Sequence, residues 1–183
     1  MKSYYYPPME DTKTTMLAIK TQKESFLFEK ISKDQWIKDS GVAYEYLEKM
    51  KMPRRATHRS AGYDFFSAGE IRIPAHTSVM VPTGLKCYIE GNYFLGIYPK
   101  SGIGCKYGLR LLNTVGIVDA DYYNNESNEG HILIHYYNPS DQDVVIEKGK
   151  AYCQAIIQPF GVVNDDNVYE KEIRTGGHGS TNS

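Results

Sequence analysis

The chain has 183 residues, an apolar content of 41% and a formal net charge of −1. That size fits one domain with one core, the near-neutral charge argues against a broad footprint for duplex DNA or RNA, and no apolar run approaches the ~20 residues of a membrane span. With a mean hydropathy of −0.49 and an opening, MKSYYYPPMEDTK, that lacks the apolar centre of a signal peptide, the expectation is a soluble cytoplasmic protein with no direct nucleic-acid or membrane partner. A local basic pocket for a small polyanion stays open.

Residues 1–24 read as a loose N-terminal extension, Tyr/Pro-rich at its start. Ser25 to Ile31 alternates well enough for a strand. Ser32 and Gln35 then have capping-box spacing, and Trp36, Ile37, Tyr44 and Leu47 are placed to line one helical face. Gly41 weakens or splits that helix, and Pro53 stops it. The result is a short helical insertion over about 32–52.

From Ser60 onward the texture is β-rich. Short runs at Ile71–Ile73, Thr77–Val81, Leu85–Ile89, Tyr93–Tyr98, Val115–Val118, His131–Tyr137, Val144–Ile146 and Ala151–Pro159 alternate with Pro, Gly and Asn turn signals. Many short strands at close spacing mean an all-β sandwich or barrel. The domain so defined spans 25–173, and the Gly-rich stretch from 174 to 183 cannot build regular structure. Cys87, Cys105 and Cys153, odd in number and widely spaced, read as buried reduced thiols in or beside strands.

Four constellations carry possible chemistry, each with an ordinary alternative. Asp119 follows the apolar end Gly116-Ile117-Val118 and precedes Asp121 and Tyr122. It is either a general base for water beside a phosphate or a turn residue capping backbone amides. Lys100, Ser101 and Gly102 offer a cation, a hydroxyl and turn amides to phosphate oxygens, or simply a surface turn. Asp64, after Gly62, holds a water of a bound cation or sits in a turn; magnesium needs only one or two carboxylates when phosphates supply the rest. In the tail, Arg174 offers a fork for phosphate and His178 a ring for stacking, unless the end is only disordered. His131 and His135, ~13 Å apart along a strand, are too distant to share a metal.

These signals occur in one recognisable order. The chain resembles the trimeric dUTP pyrophosphatase (dUTPase) family, whose five short motifs are matched by SAGYDFF at 60–66, PKSGIGCKYG at 99–108, NTVGIVDADY at 113–122, GKAYCQAIIQPF at 149–160 and RTGGHGSTN at 174–182. The resemblance covers about 53–182. It implies a compact jelly-roll-type β-barrel, a homotrimer with shared active sites, and a C-terminal arm closing over a site.

It also implies hydrolysis of dUTP to dUMP and pyrophosphate with Mg2+, keeping uracil out of DNA and supplying dUMP for dTTP synthesis. Asp119 would activate the water that attacks the α-phosphorus. Tyr122 would pack against the deoxyribose and reject a 2′-hydroxyl. Asn113, with backbone near Gly116, Ile117, Val118 and Leu133, would read the uracil edge. Lys100, Ser101, Gly102 and Gln154 would hold phosphates, with Asp64 and Gln154 orienting magnesium through water. Arg174, Gly179, Ser180 and Thr181 would close on the terminal phosphates, and His178 would stack on the base.

Departures from the family pattern are Lys100 for Arg, His178 for Phe, and Arg174 one residue closer to the Gly pair. Asn124 to Glu129 reads as an enlarged surface hairpin loop, and the 32–52 helix has no part in the implied chemistry. Other readings are a dCTP deaminase, a bifunctional dCTP deaminase/dUTPase, or a regulatory nucleotide-binding protein.

Overall fold

The computed structural model describes residues 25–166. The 1–24 extension and the 174–183 arm lie outside the described residues. The strands are β1 (Phe26–Lys30), β2 (Arg54–Arg55), β3 (Tyr63–Phe66), β4 (Ile71–Ile73), β5 (Ser78–Pro82), β6 (Leu85–Ile89), β7 (Tyr93–Pro99), β8 (Arg110–Leu111), β9 (Gly116–Val118), β10 (Leu133–Tyr137), β11 (Val144–Ile146) and β12 (Ala151–Pro159). Helices are few: α1 (Lys33–Ser40), α2 (Tyr44–Glu48) and α3 (Ser101–Tyr107), with a 3-10 turn over Ala120–Tyr122. The all-β class is therefore as expected.

The strands hydrogen-bond as four sheets. The largest has the order β2-β3-β12-β7-β9; the others are β5-β10-β8, β1-β6 and β4-β11. β7 and β12 run antiparallel over Tyr93–Pro99 and Cys153–Pro159, the central pairing of the large sheet. Its inward face carries Phe65, Ala155, Leu95 and Ile97, all buried against Ile73, Leu85, Tyr136 and Tyr152. Apolar burial of this kind supplies most of the drive for folding. Tyr136 satisfies its buried hydroxyl by donating to the Tyr152 carbonyl at 2.7 Å.

The N-terminal helices follow the predicted start and split. Ser32 caps α1 by accepting the Gln35 amide at 3.1 Å, and α1 ends on Gly41 at φ 65°, a left-handed position where glycine carries no Cβ penalty. The reciprocal half of the capping box does not form. Gln35 Nε2 turns to Asp39 at 2.7 Å, and the Ser32 amide is satisfied instead by the Glu129 carboxylate at 3.0 Å. Trp36 and Leu47 are buried as expected, but Ile37 is 45% exposed, because the short helix buries only Gln35 and Trp36. The helical segment ends at Glu48, five residues before Pro53, so the proline is not what stops it. A Cβ on Gly84 would collide with the Leu47 side chain and lie 3.3 Å from the Trp36 ring, so the helices dock directly on that backbone.

Three further expectations are corrected. Cys87 and Cys153 are buried on β6 and β12, and burial pushes the Cys87 thiol up to about 12, but Cys105 is exposed on α3. His131 precedes β10 instead of lying in it. The 124–129 segment joins the 3-10 turn to β10, whose partners are β5 and β8 and not β9, so it is not a hairpin loop.

Candidate active site

Six of the residues singled out in the sequence converge on one cavity. Asn113, Gly116, Ile117, Val118, Tyr122 and Leu133 line a recess of about 190 Å³, together with Ile97, Leu111, Ile132, Ile134 and His135. Short β9 makes this possible. It pairs with β7 (Gly116 opposite Ile97, Val118 opposite Leu95), so its backbone forms one wall. A Cβ on Gly116 would stand 3.1 Å from that of Ile97, so only the smallest residue keeps this wall close.

The chain then turns. β9 ends at Val118, and the 3-10 turn that follows sends Tyr122 inward, 7% exposed, while Asp119 and Asp121 remain exposed. Strand parity alone would have set Tyr122 opposite Asp119. Asp119 occupies the cap position of the turn with extended backbone; its side chain makes no cap bond, and its carbonyl accepts the Tyr122 amide at 3.2 Å. The ordinary alternative for this carboxylate, capping its own turn, is thus not what it does. Tyr122 Oη donates to the His131 carbonyl at 3.0 Å, which leaves the ring as cavity wall.

A second group forms around Asp64. Its carboxylate, 8% exposed as a residue, accepts Lys100 Nζ at 2.6 Å. Gln154 lies directly across from Asp64 on β12, and Tyr98 across from Gln154 on β7. Gln154 Nε2 donates to the Pro99 carbonyl at 3.3 Å. Its Oε1 fills the space over Gly62, where a Cβ would sit 2.5 Å away. Ser101 and Gly102, read as a turn, open the two-turn helix α3 with Lys100 at its cap position. Their amides are among those that a helix leaves without an internal partner.

The two groups are separate on this chain. None of Asp64, Lys100, Ser101, Gly102 and Gln154 lines the cavity. Lys100 also stands ~16 Å along β7 from Leu95, which pairs with the strand end that carries Asp119. Arg174, His178, Gly179, Ser180 and Thr181 lie outside the described residues.

Among the described residues no cluster of three or more His, Cys, Asp or Glu side chains is arranged to hold a metal ion. What Asp64 and Gln154 offer is a pair of oxygen donors side by side. That suits a hard cation carried by phosphates and water, not a cage built from protein alone. No helix of the described residues is long and apolar enough to cross a membrane.

The buried polar residues Asn125 and His131 were missed as parts of this region. The sequence signal for Asn125 was present, since Asn-rich turns form side-chain-to-backbone bonds; that for His131 was not, since both its partners are distant in the chain.

The chain is similar to known proteins in sequence and in fold. The family model described as dUTPase matches residues 48–182. The deoxyuridine 5′-triphosphate nucleotidohydrolase of Lactococcus lactis subsp. lactis (strain IL1403) is 44% identical over 132 residues, 72% of this chain and 88% of that protein. The protein of the same name from Rickettsia akari (strain Hartford) is 34% identical over 135 residues, 71% and 87% of the two chains. The crystal structure of dUTPase from Streptococcus mutans superposes with a TM-score of 0.62 at 38% identity, covering 75% of this chain and 98% of the other.

Proposed function

The chain belongs to the dUTPase family and hydrolyses dUTP to dUMP; we propose that it does so by attack of an Asp119-activated water on the α-phosphorus, releasing pyrophosphate. The observation that carries this reading is the placement of the carboxylate: exposed, and directly after Val118 of the cavity wall, at the cap position of the turn that sends Tyr122 into that wall.

The cavity takes the deoxyuridine. Asn113 and the backbone of Gly116, Ile117, Val118 and Leu133 read the uracil edge, which disfavours cytosine because its donor pattern leaves buried groups unpaired. Strand-like backbone around the uracil leaves no space for a thymine methyl. Tyr122 packs on the sugar and leaves no room for a 2′-hydroxyl.

Lys100, Ser101, Gly102 and Gln154 hold the phosphates. Catalysis of this type rests on positioning and charge neutralisation. Enzymes of this family use a divalent metal; here Mg2+ is the ion proposed, held through water by Asp64 and Gln154. When bound, it neutralises charge on the departing pyrophosphate.

The site is shared between copies. What supports this is that none of Asp64, Lys100, Ser101, Gly102 and Gln154 lines the cavity, so a second chain would bring its phosphate-holding group to the first chain's cavity. In the proposed homotrimer, a barrel domain over 25–173 carries an arm, 174–183, whose Arg174, His178, Gly179, Ser180 and Thr181 close on the bound nucleotide. Cytoplasmic action, limiting uracil in DNA and feeding dTTP synthesis, completes the proposal.

The test is pyrophosphate release from dUTP, dCTP, dTTP and UTP with magnesium. Turnover confined to dUTP is expected. Ammonia released from dCTP would instead identify a deaminase.

A further inference from the structure

The polar groups left unused by this chemistry gather behind Tyr122. Besides donating to the His131 carbonyl, the Tyr122 hydroxyl accepts from Asn128 Nδ2 at 2.8 Å. Asn128 Oδ1 is fixed by Asn125 Nδ2 at 2.7 Å and the Gly130 amide at 3.1 Å, and Asn125 Nδ2 also donates to the Tyr122 carbonyl at 2.9 Å. Gly130 itself has φ 79°, and a Cβ there would lie 2.5 Å from the Tyr122 carbonyl oxygen, so the turn is folded tightly against the tyrosine backbone.

The helical insertion grips this turn along its length. His131, 0% exposed, accepts the Gly84 amide on Nε2 at 2.8 Å. Its proton is therefore on Nδ1, which donates to Asp39 Oδ2 of α1 at 2.5 Å. Ser32, at the other end of α1, gives its hydroxyl to Glu129 Oε1 at 2.5 Å, and Lys38 Nζ donates to the Ser127 carbonyl at 3.2 Å.

We propose that α1 and the 125–131 turn are a brace that fixes the depth of the Tyr122 ring in the cavity, making Asn128 and Asp39 positioning residues for selection of deoxyribose over ribose. This rests on the reading of Tyr122 as the wall against the sugar. A ring held at its hydroxyl and at its carbonyl cannot retreat to admit one more oxygen. Released from the brace, it can. The insertion then has a part in the chemistry after all, through a contact behind the site and not within it.

The experiment compares kcat/KM for dUTP and UTP in the full chain carrying Asn128→Ala, Asp39→Ala, Asp39→Asn or Tyr122→Leu. Asn128→Ala and Asp39→Ala are expected to raise the UTP:dUTP ratio roughly tenfold, the scale of discrimination by fit, while changing kcat for dUTP less than that. Asp39→Asn, whose amide oxygen still accepts the Nδ1 proton, is expected to keep the wild-type ratio; a role resting on the negative charge would not be rescued this way. If Asn128→Ala and Asp39→Ala leave the ratio unmoved while Tyr122→Leu relaxes it, the brace is wrong and the sugar wall stands. If Tyr122→Leu also leaves it unmoved, the sugar wall itself has failed and the brace with it. Should Asp39→Ala not fold, Asn128→Ala, on a half-buried turn residue, decides alone.

Discussion

Lys100 Nζ rests 2.6 Å from Asp64 Oδ2, joining the end of β7 to β3 across the neighbouring strand β12. The lysine proposed to hold phosphate and the carboxylate proposed to orient the metal are thus partners of each other. On the proposed roles, a triphosphate reaching this face would compete with Asp64 for one ammonium, and the carboxylate would be free to hold a hydrated cation. Such an exchange would leave no charge stranded.

Removing the cation tests that exchange. Lys100→Met is expected to raise KM for dUTP roughly 10- to 100-fold, the worth of a charge-assisted hydrogen bond, and to alter kcat much less. Steady-state kinetics at saturating magnesium reads both. A kcat loss at unchanged KM would place the lysine at the transition state alone.

Gln154 depends on the missing side chain of Gly62. A methyl there would meet Gln154 Oε1 at 2.5 Å and its Cβ at 3.3 Å, so the amide must swing off the phosphate side while the strand pairing holds the backbone. Gly62→Ala is expected to raise the magnesium concentration needed for half-maximal activity several-fold, on the order of the loss of one hydrogen bond, with the unfolding midpoint nearly constant. An unaltered magnesium dependence would show that Gln154 has no part in orienting the ion.

Acid weakens the brace. Burial lowers the His131 pKa from the usual 6.5, outweighing the opposing hydrogen bond and charge of Asp39 and the charge of Glu129. The unfolded chain therefore binds the extra proton first, so this contribution is complete above about pH 6.5 and is lost as pH falls toward the folded value. For Glu129, burial acts upward, but the Ser32 hydroxyl and amide, Lys86 and His131 together bring it below the usual 4.5, so its contribution is lost later, below that pH. The single tryptophan, Trp36, is buried on α1 and reports the docking. The unfolding free energy read from its fluorescence is expected to drop between pH 7 and 5 with a slope of at most about 1.4 kcal/mol per pH unit, and His131→Gln should flatten that slope. An equal slope in the variant would assign the effect to another group.

Local signals were legible in the sequence where the physics is local. The Ser32 cap, the break at Gly41, the strand runs and the ordered third motif all act within a few residues, and Asn113, Gly116, Ile117, Val118, Tyr122 and Leu133 came out around one cavity. The misreadings involve partners far apart in the chain. Glu129 displaces Gln35 from the Ser32 amide across 97 positions, and His131, read only as half of an unsuitable metal pair, is held by Gly84 and Asp39. Nothing in the spacing of NNESNE distinguishes a solvated loop from one folded around a tyrosine hydroxyl; the difference lies in what the insertion presents to it.

Turnover of dUTP by Asp119→Asn is the decisive measurement. The amide keeps the shape of the side chain and cannot take a proton from water, so pyrophosphate release is expected to fall about 10²- to 10⁴-fold, the usual contribution of a general base, with dUTP binding nearly retained. Turnover equal to that of the wild type would remove Asp119 as the base and contradict the mechanism.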